Sequence, residues 1–119
     1  MSTKGNDQNG SKYDCLPYTD NTTLQALAEC IIRCNNCAKK CKEEGHKTTA
    51  ALCSECAEIC TITHKFVSCN SEYSQELLTL CSKICQKCCE ECCKINSKHC
   101  QDCADACRRC CECCAECVC

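Results

Sequence analysis

The stretch CQDCADACRRCCECCAEC, residues 100–117, decides how the rest of the chain reads. Cys100, Cys103, Cys107, Cys110, Cys114 and Cys117 recur at steps of three and four, the spacing that places residues on one face of an α-helix. Between them stand Asp102, Asp105, Arg108, Arg109, Glu112 and Glu116, which read as the opposite, solvated face. The segment is therefore an amphipathic helix whose inward stripe is made of thiols.

The same stripe recurs upstream in Cys30, Cys34, Cys37 and Cys41, in Cys53, Cys56 and Cys60, and in Cys81, Cys85, Cys88 and Cys92. Arg33, Lys39, Lys40, Glu55, Glu58, Lys87 and Glu90 lie between these positions and face water. The pattern predicts helices over about 22–44, 47–69, 72–95 and 97–117. Asp20 or Asn21 is the expected N-cap of the first and Ser97 of the last, with Gly45, Asn70-Ser71 and Asn96-Ser97 as the breaks. Past Pro17 there is no proline, and past residue 19 the only glycine is Gly45. Connections this short force neighbouring helices to run antiparallel. The expected fold is all-α: an antiparallel up-down-up-down four-helix bundle with a cysteine-lined core over residues 20–119, preceded by a mobile polar tail over 1–19.

Composition narrows the function. The 119 residues hold 24 cysteines at a net charge of −2, with no basic stripe for nucleic acid. No apolar run reaches the roughly 18 residues that a membrane span needs. The opening MSTKGNDQNGSKYD has no signal-peptide character, so the expected setting is the cytoplasm, where thiols stay reduced. Helical neighbours three or four residues apart have Cβ atoms about 5–6 Å from each other, too far for the roughly 3.5–4.5 Å of a disulfide. Nor does a packing requirement explain cysteine at seventeen stripe positions where alanine, valine or leucine would serve. With no single cysteine distinguished from its neighbours, nucleophilic catalysis has no support, and the chain reads as a binding protein rather than an enzyme.

What remains is a soft metal. Eleven pairs have the form C-x-x-x-C, such as Cys30/Cys34, Cys85/Cys89 and Cys113/Cys117, a spacing that suits an ion held between two thiolates. A monovalent ion at about one per thiolate leaves the interior near neutral, whereas a zinc on four thiolates leaves a charge of about −2 in a core whose stripes hold no lysine or arginine. This favours Cu(I). A zinc or cadmium buffer of metallothionein-like role is the alternative, since pairs such as Cys53/Cys56 and Cys107/Cys110 have zinc-ligand spacing. An iron–sulfur redox protein is a more distant one.

The three histidines fall at recognisable places. His46 and His99 sit in or beside the first and third connections, at one mouth of the bundle, and are candidate ligands there. His64 lies on the second helix toward the other end, where Leu24, Leu27, Ile62, Val67, Leu77, Leu78 and Leu80 are expected to form an apolar plug. Of the cysteines off the stripe, Cys89, Cys93 and Cys111 are expected to widen the metal-lined face, and Cys113 is a further candidate ligand. Cys15, Cys69 and Cys119 are expected near the plug, as free thiols or a separate site.

CIIRC (30–34), CAKKC (37–41), CAEIC (56–60), CSKIC (81–85) and CADAC (103–107), repeated over four helices, resemble the bacterial copper storage proteins, and the expected lack of an export signal is similar to their cytosolic branch. The resemblance covers about residues 22–117. It implies storage of many Cu(I) ions by the core thiolates, a polar mouth bearing His or Met, and a homotetramer of bundles. The chain departs from that pattern in its cysteine density from Cys107 onward and in having no methionine at the mouth.

Overall fold

The computed structural model describes residues 20–118, with side chains from residue 22 onward; the expected tail, Cys15 and Cys119 lie outside them. Four helices follow one another: α1 (Asp20–Glu43), α2 (Lys47–Ser68), α3 (Ser74–Cys92) and α4 (Lys98–Glu116). Each packs against its two neighbours in the ring α1–α2–α3–α4, and the diagonal pairs are held apart by the core. This is the up-down-up-down bundle that the spacing predicts.

The first two breaks are built alike. Gly45 takes the left-handed conformation (φ 89°), and His46 N–H reaches back to the Cys41 carbonyl at 2.8 Å while Gly45 N–H bonds Lys42 O at 3.2 Å. Asn70 (φ 55°) does the same for α2, with Ser71 N–H on Phe66 O at 3.0 Å and its own N–H on Val67 O at 3.1 Å. Both are Schellman caps, which satisfy carbonyls that the helix end would otherwise orphan.

The third helix is shorter than its periodicity suggests. At its start Ser71 Oγ accepts the Tyr73 N–H at 3.1 Å, and the resulting turn delays the helix to Ser74. At its end Lys94 N–H bonds Glu91 O and Ile95 N–H bonds Cys92 O, an i→i−3 tightening that ends the α-helix at Cys92 rather than residue 95. Ser97 occupies the N-cap position of α4 in an extended conformation, yet its side chain makes no capping bond. Its hydroxyl lies instead 3.3 Å from His99 Nε2.

All seventeen stripe cysteines are buried, sixteen of them completely and Cys117 at 2% exposure. The plug differs in part from expectation. Leu27, Val67 and Leu78 are fully enclosed, and Leu24 and Leu77 are half-buried, but Ile62 and Leu80 are each 46% exposed. Ile62 lies about 200° around α2 from Cys60, and Leu80 about 100° from Cys81, so both leave the inward face. Their places are taken by Thr23, Thr63 and Ser74, which continue the three-and-four spacing of the stripes beyond the last cysteine.

Candidate metal centre

Within this sheath the thiols form one continuous array. Along single helices, the sulfurs of Cys30/Cys34, Cys37/Cys41, Cys81/Cys85, Cys103/Cys107 and Cys110/Cys114 lie 3.7–4.0 Å apart. Between helices the spacing is the same: Cys34 to Cys103 and Cys107 at 3.6 Å, Cys53 to Cys92 at 3.6 Å, Cys56 to Cys85 at 3.6 Å, and Cys60 to Cys81 at 3.7 Å. These distances are far beyond the roughly 2.05 Å of an S–S bond, and every described cysteine is a free thiol.

Sulfurs so placed form sets of four. Cys30, Cys34, Cys56 and Cys107 lie within 4.8 Å of one another; so do Cys30, Cys60, Cys85 and Cys110, then Cys34, Cys88, Cys103 and Cys107, then Cys37, Cys53, Cys92 and Cys103. A metal–thiolate bond of about 2.3 Å puts the sulfurs of a trigonal site about 4.0 Å apart and those of a linear site about 4.6 Å apart. Little movement is needed for either. Cys30, Cys34, Cys37, Cys103 and Cys107 each belong to two sets, so neighbouring sites share ligands and bridging thiolates are built into the arrangement. Thr23, Thr63 and Ser74 are the buried polar residues, and no charged side chain is buried with the thiols among the described residues.

Within the array the thiols shift one another's acidity in both directions. Cys56 is lowered to about 7, chiefly by its hydrogen bond with Cys107. Cys103 is pushed up by the thiols around it, Cys107 foremost, together with burial. Burial is the leading cause of the raised Cys41 and Cys100. Sulfurs this close cannot all ionise together, because each thiolate raises the cost of the next. A cation that enters therefore displaces protons.

One end carries a nitrogen. His99 joins Cys37, Cys41 and Cys100 in a further set of four. Its Nδ1 is 3.5 Å from Cys100 Sγ and 3.7 Å from Cys37 Sγ, and its Nε2 is 3.1 Å from both oxygens of Glu44. The Cys37 contact, followed by Glu44, raises the basicity of the ring against its burial. His46, paired with His99 in the sequence reading, is exposed at the N-cap position of α2 and stands outside this set. His64 is half-buried on α2 and turns to Ser68 Oγ at 3.5 Å.

The cysteines off the stripe divide. Cys89 and Cys111 are half-buried against the core, and Cys111 Sγ meets Ser82 Oγ at 3.3 Å. Burial first, then nearby Cys93, raises Cys89 to about 11. Cys113 is half-buried, whereas Cys93 and Cys69 are exposed and stand outside the interior array. Cys117 lies in the plug, its sulfur 3.1 Å from Thr23 Oγ1. Sequence reasoning missed Glu44, Thr23 and Thr63. The two threonines were within reach, since extending the stripes lands on Thr63 one step past Cys60 and on Thr23 two steps before Cys30, by way of Leu27; Glu44 carried no such signal.

The sequence model of the family described as Csp, copper storage protein, matches residues 18–119. The chain belongs to the copper storage protein family. Among solved structures it is similar to the Cu(I)-bound copper storage protein BsCsp3, at 34% identity and a TM-score of 0.82 over 85% of this chain and 99% of that one. It is also similar to the apo form of copper storage protein 3 from Bacillus subtilis, at 35% identity and a TM-score of 0.79, covering 83% and 98% of the two chains. The uncharacterized cysteine-rich protein YhjQ of Bacillus subtilis (strain 168) is 38% identical over 82 residues, 66% of this chain and 76% of that protein. The four-helix architecture of this family member is thus shared over nearly the full length of its structural relatives.

Proposed function

We propose that this protein stores many Cu(I) ions in the cytoplasm, each held by thiolates of the bundle core, with no catalytic step. The observation that carries this reading is the shared-ligand array: sets of four sulfurs with common members, and no buried cation beside them. Monovalent ions on bridging thiolates keep such an interior near neutral, while divalent ions on four thiolates each would accumulate negative charge where water cannot screen it. Likeness to the Cu(I)-bound relative supports the choice of metal. The proposed ligands are the stripe cysteines with His99. Cys89, Cys111 and Cys113 are secondary positions at the rim, while Cys93 and His46 are exposed and are not counted among the ligands. The cytoplasm suits an array of free thiols, which an oxidising compartment would consume. A homotetramer follows from the family resemblance, and light scattering on the reduced protein tests it.

The function is tested by anaerobic titration of the reduced protein with Cu(I) against a competing chromogenic chelator, beside a parallel zinc titration. Roughly 15 to 24 tightly held Cu(I) per chain, near one per thiolate, with unchanged helicity, is the expected outcome. Fewer than about six Cu(I), with several zinc ions bound strongly instead, would move the protein to divalent-metal buffering, since the same sets of four sulfurs also fit tetrahedral zinc.

A further inference from the structure

We propose that Glu44 is the positioning residue of the mouth: its carboxylate accepts the Nε2–H of His99 and so holds the imidazole in the tautomer whose bare Nδ1 faces Cys37 and Cys100.

The geometry assigns the two ring nitrogens different work. Nε2 is 3.1 Å from each Glu44 oxygen and 3.3 Å from Ser97 Oγ, and a carboxylate can only accept, so Nε2 carries the hydrogen. A neutral imidazole has one N–H, which leaves Nδ1 as a lone pair toward sulfurs at 3.5 and 3.7 Å. With the ring neutral that lone pair can accept an S–H from Cys37 or Cys100, whereas protonation of the ring, which the Cys37 contact favours, turns Nδ1 into a donor. For an incoming ion, on the storage reading above, it is a neutral donor beside two thiols. The opposite tautomer would turn an N–H toward the same space and close it. A carboxylate that fixes a ligating histidine in this way is a general device of metal sites.

No Lys40 or Lys42 ion pair to Glu44 is seen among the described residues. Glu44 follows the last residue of α1, where the helix dipole favours cations and disfavours carboxylates, and where the last turn itself carries Lys40 and Lys42. Its partner lies 55 residues away on α4. His99 is also confined, with its side chain only 11% exposed against 47% for Glu44, so the ring has little freedom to exchange nitrogens unless the carboxylate is removed.

The test is nitrogen-15 NMR of the imidazoles in the reduced, metal-free full chain, at a pH where the ring is neutral, for the wild type, Glu44→Ala and Glu44→Gln. The wild type is expected to show Nε2 as the protonated nitrogen, Glu44→Ala a mixture, and Glu44→Gln the wild-type pattern, because its amide oxygen still accepts. Uptake of the first Cu(I) equivalents should slow about tenfold or more in Glu44→Ala, with total capacity unchanged. In a His99→Ala background the same substitution should add nothing further. Thermal unfolding separates this from a merely structural ion pair, which would shift the midpoint and leave the tautomer alone. A wild-type ring protonated on Nδ1, or a Glu44→Ala protein with unchanged tautomer and uptake, overturns the proposal. If the chain took up few Cu(I) ions the storage reading would fall, and the metal-free tautomer measurement would still decide the role of Glu44.

Discussion

The two ends of the bundle are made from the same four helices with the same spacing, and their inward residues differ in kind. At one end Cys37, Cys41 and Cys100 meet His99 and Glu44, a polar set with exposed connections on either side. At the other, Leu27, Val67 and Leu78 close the interior with Thr23, Thr63 and Ser74. The contrast shows that the same inward positions carry thiols along most of the axis and hydrocarbon or hydroxyl groups at one end. Period and cap specify the helices, and the chemistry of the inward positions is then free to change from hydrocarbon to ligand along the axis. Hydrocarbon at the closed end contributes ordinary hydrophobic burial, and sulfur in the middle presents the proposed ligands.

The comparison breaks most sharply if stability does not reside in the plug. Leu78→Ala or Leu27→Ala should cost about 2–5 kcal/mol in denaturant unfolding of the metal-free protein, with Cu(I) capacity unaltered. A large loss of capacity in either variant would show that plug and array are one unit. The reverse experiment is Cys107→Ala. Because Cys107 belongs to two sets of four sulfurs, capacity should fall by more than one ion per chain, while stability changes by about 1 kcal/mol.

Acidity sharpens the same contrast. Although the Cys114 hydrogen bond lowers it, Cys110 is raised to about 11 by Cys30, Cys81 and burial; Cys89 also stands at about 11. Both are protonated at neutral pH, and each must lose its proton to bind a metal. Copper affinity at such thiols should therefore rise with pH through the neutral range and weaken by about 1.4 kcal/mol, or tenfold, per proton for each unit of acidification. Chelator competition at stepped pH measures the slope. A flat response would mean that the thiols are already ionised before metal is added.

The two smallest effects concern single polar groups. Thr63 is wholly buried and its hydroxyl has no hydrogen-bond partner, so Thr63→Val, which keeps its shape, should stabilise the metal-free protein by about 1 kcal/mol. His46→Ala should change stability by less than about 0.5 kcal/mol and leave copper uptake as it was, because that ring is exposed outside the mouth set.

The helices and their inward faces were legible in the sequence because both are local. A step of three or four residues fixes a direction around one helix axis whatever else the chain does, so the seventeen stripe cysteines could be assigned to the interior one helix at a time. Gly45 and Asn70 were equally readable, since a left-handed residue after a helix is favoured by few side chains. Ile62 and Leu80 are exposed despite their apolar character, because their angle on the helix turns them from the inward face. What the tertiary structure alone decided is which residues from different helices face each other: Cys34 with Cys103 and Cys107, Cys56 with Cys85, and Glu44 with His99. Those partnerships depend on the axial register of packed helices, set by connection geometry and core shape together. No periodicity within a single helix encodes that register.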